Sequence, residues 1–218
     1  MKMKLFAAAA ASLLLAAAGS ANAAVITTFG PGDASPEAGY TVIDNFDTGL
    51  GLFGAFGNGY LLTTNHDGQG APPANSIPYD TNYLSVLGGG GVSLDFSALT
   101  PVTVHSFEFD WGSIDSYNTL VIHSSAGDVT IIPGSASFPN DANGNQVAPG
   151  TNGLFKVVGT EGETFSGISL SSGSNSFEVD NLAIAGVPEP ATWAMMFLGL
   201  GGLGAALRTR RRAVPATA

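Results

Sequence analysis

Cysteine is missing from all 218 residues. No disulfide can staple the fold and no zinc site of the cysteine type can form, so the fold must be held by a packed core, with or without another metal. Histidine is nearly missing too: His66, His105 and His123 stand far apart, and no H-E-x-x-H occurs. Each reads as an ordinary strand or loop residue, and metal-assisted hydrolysis finds no motif. The G-x-S-x-G nucleophile elbow is also absent. Helical periodicity is lacking throughout the middle of the chain, and long apolar runs are confined to its two ends.

Basic side chains are the next shortage. Of seven Lys and Arg, two (Lys2, Lys4) lie at the start and four at the end, leaving only Lys156 between. Of 17 acids, only Glu189 lies outside residues 24–186. That stretch therefore carries sixteen acids against one base, a net of −15. Such a segment repels nucleic acid and anionic lipid, which excludes nucleic acid as a partner. It suits divalent cations, neutral sugars, or simply a surface that stays soluble.

The two ends carry the clearest signals. Lys2 and Lys4, the apolar stretch Leu5 to Ala18, and Ala21-Asn22-Ala23 before Ala24 read as a secretory signal peptide with its cleavage site, a substrate for signal peptidase. Near the other end, Pro188 and Pro190 lack backbone donors and hold their neighbours extended, so Val187 to Pro190 is expected to be an unpaired segment open to a protease. Ala191 to Leu207 then gives 17 uncharged residues. As a helix that is roughly 26 Å, at the short edge of what crosses a bilayer core. Trp193 suits the membrane interface, and Arg208, Arg210, Arg211 and Arg212 would keep the C-terminus on the cytoplasmic side. Gly199 to Gly204 matches G-x-G-x-x-G, but no strand precedes it and no acid follows at the required distance, which rejects a dinucleotide site.

Pro188-Glu189-Pro190, then Trp193-Ala194, the Gly-rich apolar run and the closing arginines resemble the PEP-CTERM sorting signal in its PEPxxWA form. The resemblance implies recognition by an exosortase, a membrane transpeptidase-like protease of Gram-negative bacteria that make extracellular polysaccharide. The catalytic residues would belong to that enzyme. Pro188, Glu189 and Pro190 would be its recognition site, with Trp193 and the arginines completing the signal. Export through the inner membrane, transient anchoring by the C-terminal helix, and final residence at the cell surface or outside the cell follow as expectations. The resemblance implies nothing about the activity of the domain, because unrelated domains carry such tails.

The expected organisation is a signal peptide (1–23), an exported domain (24–186), the sorting signal (187–212, with its apolar helix at 191–207 and arginine cluster at 208–212) and a cytoplasmic end (213–218). In the exported domain, Gly, Ser, Thr, Asn and Asp punctuate short runs of β-branched and aromatic residues. Strands are expected at Val25–Phe29, Tyr40–Phe46, Gly59–Thr64, Tyr83–Leu87, Val92–Phe96, Val102–Trp111, Thr119–Ser124, Val129–Ile132, Leu154–Val158, Phe165–Leu170 and Ser176–Ala185. This pattern predicts an all-β antiparallel sandwich of jelly-roll type, flanked by the signal peptide and a C-terminal transmembrane helix. The run Gly88 to Gly91 reads as a turn, since the strand that follows it cannot serve as a phosphate-binding helix.

Three loops are candidates for function. After Trp111, the stretch to Asn118 either connects two strands or contacts a glycan, with Trp111 and Tyr117 as aromatic faces and Asp115 and Asn118 as hydroxyl partners. Together with Phe177 to Leu182, this stretch is similar to a pattern in other PEP-CTERM cargo domains. Asp141, Asn143 and Asn145 sit at calcium-loop spacing, but Gln146 and Asn152 occupy the positions that need Gly and Glu, so a polar turn is expected. In the last strand, Phe177 and Val179 are in one phase and Leu182 and Ile184 in the other, which predicts a β-bulge at Asp180-Asn181. Asp180 either bonds nearby amides or faces Asp44 or Asp47 across a strand pair, forming a candidate calcium set.

The function expected from the sequence is a non-enzymatic surface or extracellular-matrix protein, processed by an exosortase and associated with exopolysaccharide or biofilm. A carbohydrate-binding module is the alternative and a secreted glycan hydrolase the second alternative. No cofactor is required by any motif, with calcium the one candidate.

Overall fold

The computed structural model describes residues 24–51, 53–57, 59–64, 67–78, 81–160, 162–188 and 200. The signal peptide through Ala23, the arginine cluster and, apart from Leu200, the apolar helix lie outside the described residues, as do Glu189, Pro190 and Trp193.

From Val25 to Pro188 the chain forms twelve strands and one short 3-10 turn. The strands are β1 (Val25–Pro31), β2 (Thr41–Asp44), β3 (Phe53–Gly57), β4 (Tyr60–Thr63), β5 (Tyr83–Val86), β6 (Gly90–Asp95), β7 (Val102–Gly112), β8 (Asn118–Ser124), β9 (Gly127–Ile131), β10 (Gly153–Gly159), β11 (Phe165–Ser172) and β12 (Phe177–Pro188). All their pairings are antiparallel, and they form two layers. One sheet runs β1-β10-β7-β12, with β5-β4 and β2 pairing successive stretches of the far edge of β12. The other runs β3-β6-β11-β8-β9. A single pair, Phe165 with Val104, ties the layers at one corner. The sandwich expected from the spacing of turn residues is the observed architecture.

The core follows from period-two alternation. On β7, Phe107, Phe109 and Trp111 point between the layers and are 0% exposed. Trp111 stacks on Phe177 of neighbouring β12 at 4.4 Å, and Phe107 meets Phe165 of the opposite sheet edge-on at 5.3 Å. Val92, Leu94, Leu120, Ile122, Ile168 and Leu170 supply the facing layer. Each such side chain contributes roughly 1.5–3 kcal/mol when removed from water, and this interior does the work that disulfides cannot do here.

Eleven of the strands correspond to the expected runs; β3, sequence FGAFG, is additional. Its glycines mask the alternation, yet it pairs with β6 through Phe53↔Leu94 and buries Phe53 against Phe46. The turn at Gly88-Gly89 is also observed, but β6 begins at Gly90, two residues before the expected Val92. Gly89 has φ +74, a conformation that glycine adopts without strain.

The tail emerges differently from expectation. Val187 and Pro188 are extended but not unpaired: they continue the ladder opposite Thr103 and Val102 of β7. A proline at the end of a strand costs little there, because only its missing N–H is lost to the ladder.

Candidate functional site

The first sheet has an outer face as well as an inner one, and β7 and β12 place four carboxylates on it. Glu108 and Asp110 alternate with the core aromatics of β7, and Glu178 and Asp180 alternate with Phe177 and Val179 of β12. Asp110 and Asp180 are direct cross-strand partners. Ordinary alternation would leave these acids in water, but they are 3% exposed or less. Two loops cover them. Ser35 N donates to Asp110 Oδ1 at 2.7 Å, Glu37 N donates to Glu108 Oε1 at 2.6 Å, and Asn75 Nδ2 donates to Asp110 Oδ1 at 2.8 Å.

The expected bulge is present. The register slips between Asp180 and Ala183, and Asn181 adopts φ 49. The extra residue turns the Asn181 side chain onto Asp110 Oδ2 at 3.0 Å, and Asn181 N donates to Asp180 Oδ1 at 2.8 Å. Burial pushes the Asp110 carboxyl up from 3.8 to about 6, against the pull of its bonds from Asn181 and Ser35. Burial also pushes Asp180 up to about 7, with the charges of Asp110 and then Asp47 adding to the rise.

The strand carrying Asp44 does pair with the last strand, Asp44 opposite Leu182. The candidate calcium set nevertheless does not assemble: among the described residues no three His, Asp or Glu side chains are disposed to hold a metal ion. Asp44 Oδ1 turns back to accept from Phe46 N, Asp47 accepts from Asn45 and Asn82, and Asp180 is held by Asn181 N. Asp141, Asn143 and Asn145 behave as the polar turn expected of them, with Asn143 Oδ1 accepting from Asn145 N and Asn145 Oδ1 from Val147 N and Ala148 N. His105 and His123 bond to Glu163 O and to Asp128 and Ser169 respectively, and His66 lies outside the described residues.

Of the four candidate glycan contacts, two are interior. Trp111 is 0% exposed and shares the phase of Phe107 and Phe109, so its ring is core. Asn118 is also 0% exposed. Its Oδ1 accepts from Asp115 N and its Nδ2 donates to Ser172 Oγ and Ser176 O, fastening the loop from inside. The other two, Asp115 and Tyr117, reach an open cleft of about 170 Å³ at the end of the sandwich. Tyr117 is half-buried and tied there by its hydroxyl. Its hydroxyl lies 2.5 Å from Asp115 Oδ2 and 2.6 Å from the Asn175 carbonyl, and burial with the neighbouring Asp115 pushes its phenol well above the usual range.

The cleft is a polar one, lined also by Asp67, Ser113, Gln146, Asn175, Ser176 and Glu178. Glu178 is 3% exposed; its Oε1 accepts from Ser176 Oγ, while Oε2 has no hydrogen-bond partner. Ser113, 4% exposed, lies beside it; its Oγ makes no hydrogen bond of good geometry, yet its hydroxyl is near enough to the carboxylate to offset part of the effect of burial. Burial pushes Glu178 up from 4.5 to about 7, and the charge of Asp115 adds to this. Sequence reasoning missed Glu178 and Ser113. The signal was present in part: Glu178 alternates with Phe177 and Val179 and so had to face away from the core, but the loop that covers it comes from residues 67–70, far away in the chain. A larger hollow of about 430 Å³ lies between β1 and the loop carrying Phe138. None of the expected contact residues reaches it, and no buried carboxylate lines it.

Residues 186–212 match the model of the PEP-CTERM protein-sorting motif. The motif marks a protein exported and sorted to the cell surface or extracellular space, and it implies processing by an exosortase. It starts inside β12, so the last strand of the domain and the sorting segment share residues 186–188. No curated relative matches the chain at a significant level. Among solved structures, the chain is similar to one described as "Xylan-Binding Domain from CBM 22, formally x6b domain", with 16% identity over 70% of this chain and 97% of that one and a TM-score of 0.31. At that identity and score no property of its site is carried over.

Proposed function

We propose that this chain is a non-enzymatic surface or matrix protein, made with a cleavable signal peptide, processed by an exosortase and retained in the exopolysaccharide around the cell. The observation that carries the reading is the continuity of β12 with the sorting motif. The β-domain is complete at Pro188, so cleavage just beyond that residue releases a folded sandwich with its core intact. At the other end, Ala24 follows the expected signal cleavage site and is already tied to the domain, its N–H donating to Thr160 Oγ1 at 3.2 Å. Mass spectrometry of the surface-exposed protein tests this: a mature form beginning at Ala24 and ending between Pro188 and Ala191 is expected. A surface form still ending at Ala218 would refute processing.

A second reading, carbohydrate binding, is favoured by one observation. Asp115 and Tyr117, expected as glycan contacts, line the polar cleft beside the buried Glu178. Glycan pull-down separates the two readings, and turnover of a polysaccharide would refute the non-enzymatic assignment of both.

A further inference from the structure

The cleft at the end of the sandwich holds more hydrogen-bond acceptors than the protein satisfies. Three carboxylates line it, those of Asp67, Asp115 and Glu178. Tyr117 has one proton to give, shared between Asp115 Oδ2 and the Asn175 carbonyl. Asn175 has already directed its amide to the Gly68 carbonyl, with Nδ2 3.2 Å away. Glu178 Oε2 and Ser113 Oγ lie buried beside each other at the floor, neither with a hydrogen bond of good geometry. A buried carboxylate oxygen without a donor is costly, and so persists where something outside the chain can complete it.

Among the described residues no lysine or arginine lines the cleft to supply the counter-charge. Lys156 is the sole base in residues 24–186, and it is engaged elsewhere, its Nζ bonded to Glu37 at 2.5 Å and lying over the Tyr40 ring at 4.7 Å. A bare divalent ion is a poor match. Such ions gather six to eight oxygens closely, and no three acidic side chains of the described residues are so disposed. The space, about 170 Å³, is several times the ~30 Å³ share of one water in the liquid, which suits a small organic group. An ammonium group carries three donors and one positive charge, and hydroxyls beside it would meet Ser113 and Gln146.

We propose that this cleft binds an amino sugar, its ammonium seated on Glu178 and Asp115 and its hydroxyls on Ser113 and Gln146. The inference rests on the carbohydrate-binding reading above and narrows it to a cationic saccharide. A cationic glycan also fits the strongly acidic domain that would meet it.

Isothermal titration of the full chain in detergent micelles tests it, using a glucosamine tetramer, its fully N-acetylated counterpart and calcium chloride as probes. The glucosamine tetramer is expected to bind at least ten times more tightly than the acetylated one. Glu178→Gln, which keeps the shape and removes the charge, is expected to abolish that difference, and Asp115→Asn to reduce it. Both variants are to be checked for an unchanged thermal transition, and either one that folds is sufficient. Equal binding of the two tetramers would overturn the ammonium seat while leaving the saccharide reading standing. Binding of neither tetramer would overturn both. Calcium binding that is lost in Glu178→Gln and displaces the glucosamine tetramer would overturn the proposal in favour of a metal site.

Discussion

The two faces of the β7–β12 pair are equally buried and chemically opposite. Inward lie Phe107, Phe109, Trp111, Phe177 and Val179; outward lie Glu108, Asp110, Glu178 and Asp180, none more than 3% exposed. The inner face is driven together by removal of apolar surface from water, without directional demands. The outer face is held by individual hydrogen bonds, to Glu108 and Asp110 from Ser35, Glu37 and Asn75, to Glu178 from Ser176 and to Asp180 from Asn181, and its charges resist desolvation. Burial alone therefore says little about which way a residue pushes the folding equilibrium. The inner aromatics favour folding at any pH, whereas the outer carboxylates favour it only while they can keep a proton.

The largest expected effect falls on the inner face. Trp111→Ala removes a ring that packs on Phe177, Phe138, Phe155 and Phe109, and should cost about 3–5 kcal/mol in urea denaturation. A loss below about 1 kcal/mol would mean that the ring is not the centre of the core.

The outer face should reveal itself through pH. Asp110 and Asp180 have folded pKa values of about 6 and about 7, above the 3.8 of the unfolded chain. A carboxyl raised on folding binds its proton more tightly in the native state. Its contribution is therefore most favourable below about pH 4, declines as the pH rises through 6 to 7, and is flat above. At about 1.4 kcal/mol per proton per pH unit, the decline between pH 5 and pH 8 is on the order of 4 kcal/mol for the two groups together. Denaturation curves at pH 5 and pH 8 measure it, and equal stability at both would contradict the assignment.

Two amide substitutions should then separate the partners of that pair. Asp110 accepts from Ser35 N, Asn75 Nδ2 and Asn181 Nδ2 on its two oxygens. Asp110→Asn must turn an NH₂ toward a donor and should cost about 1–3 kcal/mol at either pH. Asp180→Asn keeps an oxygen for Asn181 N and removes only the charge, so it should leave stability at pH 8 unchanged or higher and flatten the pH dependence. If the two variants behave alike, the outer face is governed by charge alone and not by directed bonds.

The smallest effect is expected at the cleft. Tyr117→Phe loses the hydroxyl between Asp115 and the Asn175 carbonyl and should cost roughly 0.5–1.5 kcal/mol by the same denaturation measurement. No change at all would mean that water replaces the phenol without penalty.

What could be read in advance divides along the same two faces. The inner one was legible because apolar alternation on β7 and the phase change around Asp180 are local patterns; the sandwich and the bulge both follow from them. The strand FGAFG was not legible, since glycine carries no side chain with which to alternate. Nor was the burial of the outer acids, which in sequence look like solvent-facing charges. Their covers arrive from 75 residues away in the case of Ser35 and Asp110 and 35 in the case of Asn75 and Asp110, and no local pattern announces a contact of that span. The assignment of Trp111 to a glycan contact followed its place at the start of a loop, although its phase with Phe107 and Phe109 already put it in the core.

The position of β12 bears on the order of events during export. The final strand of the domain is an interior one, with β7 along one side and β5 and β2 along the other. Until residues 177–188 have crossed, β7 presents a bare edge and the aromatic layer stands open. A chain emerging N-terminus first thus cannot close its sandwich from its earlier strands alone. Closure must wait for the strand that runs without a break into the sorting segment. Translocation and folding are thereby put in register. The domain locks only once the strand leading into its address label has arrived, and a molecule truncated before β12 would lack both the label and a shape worth delivering.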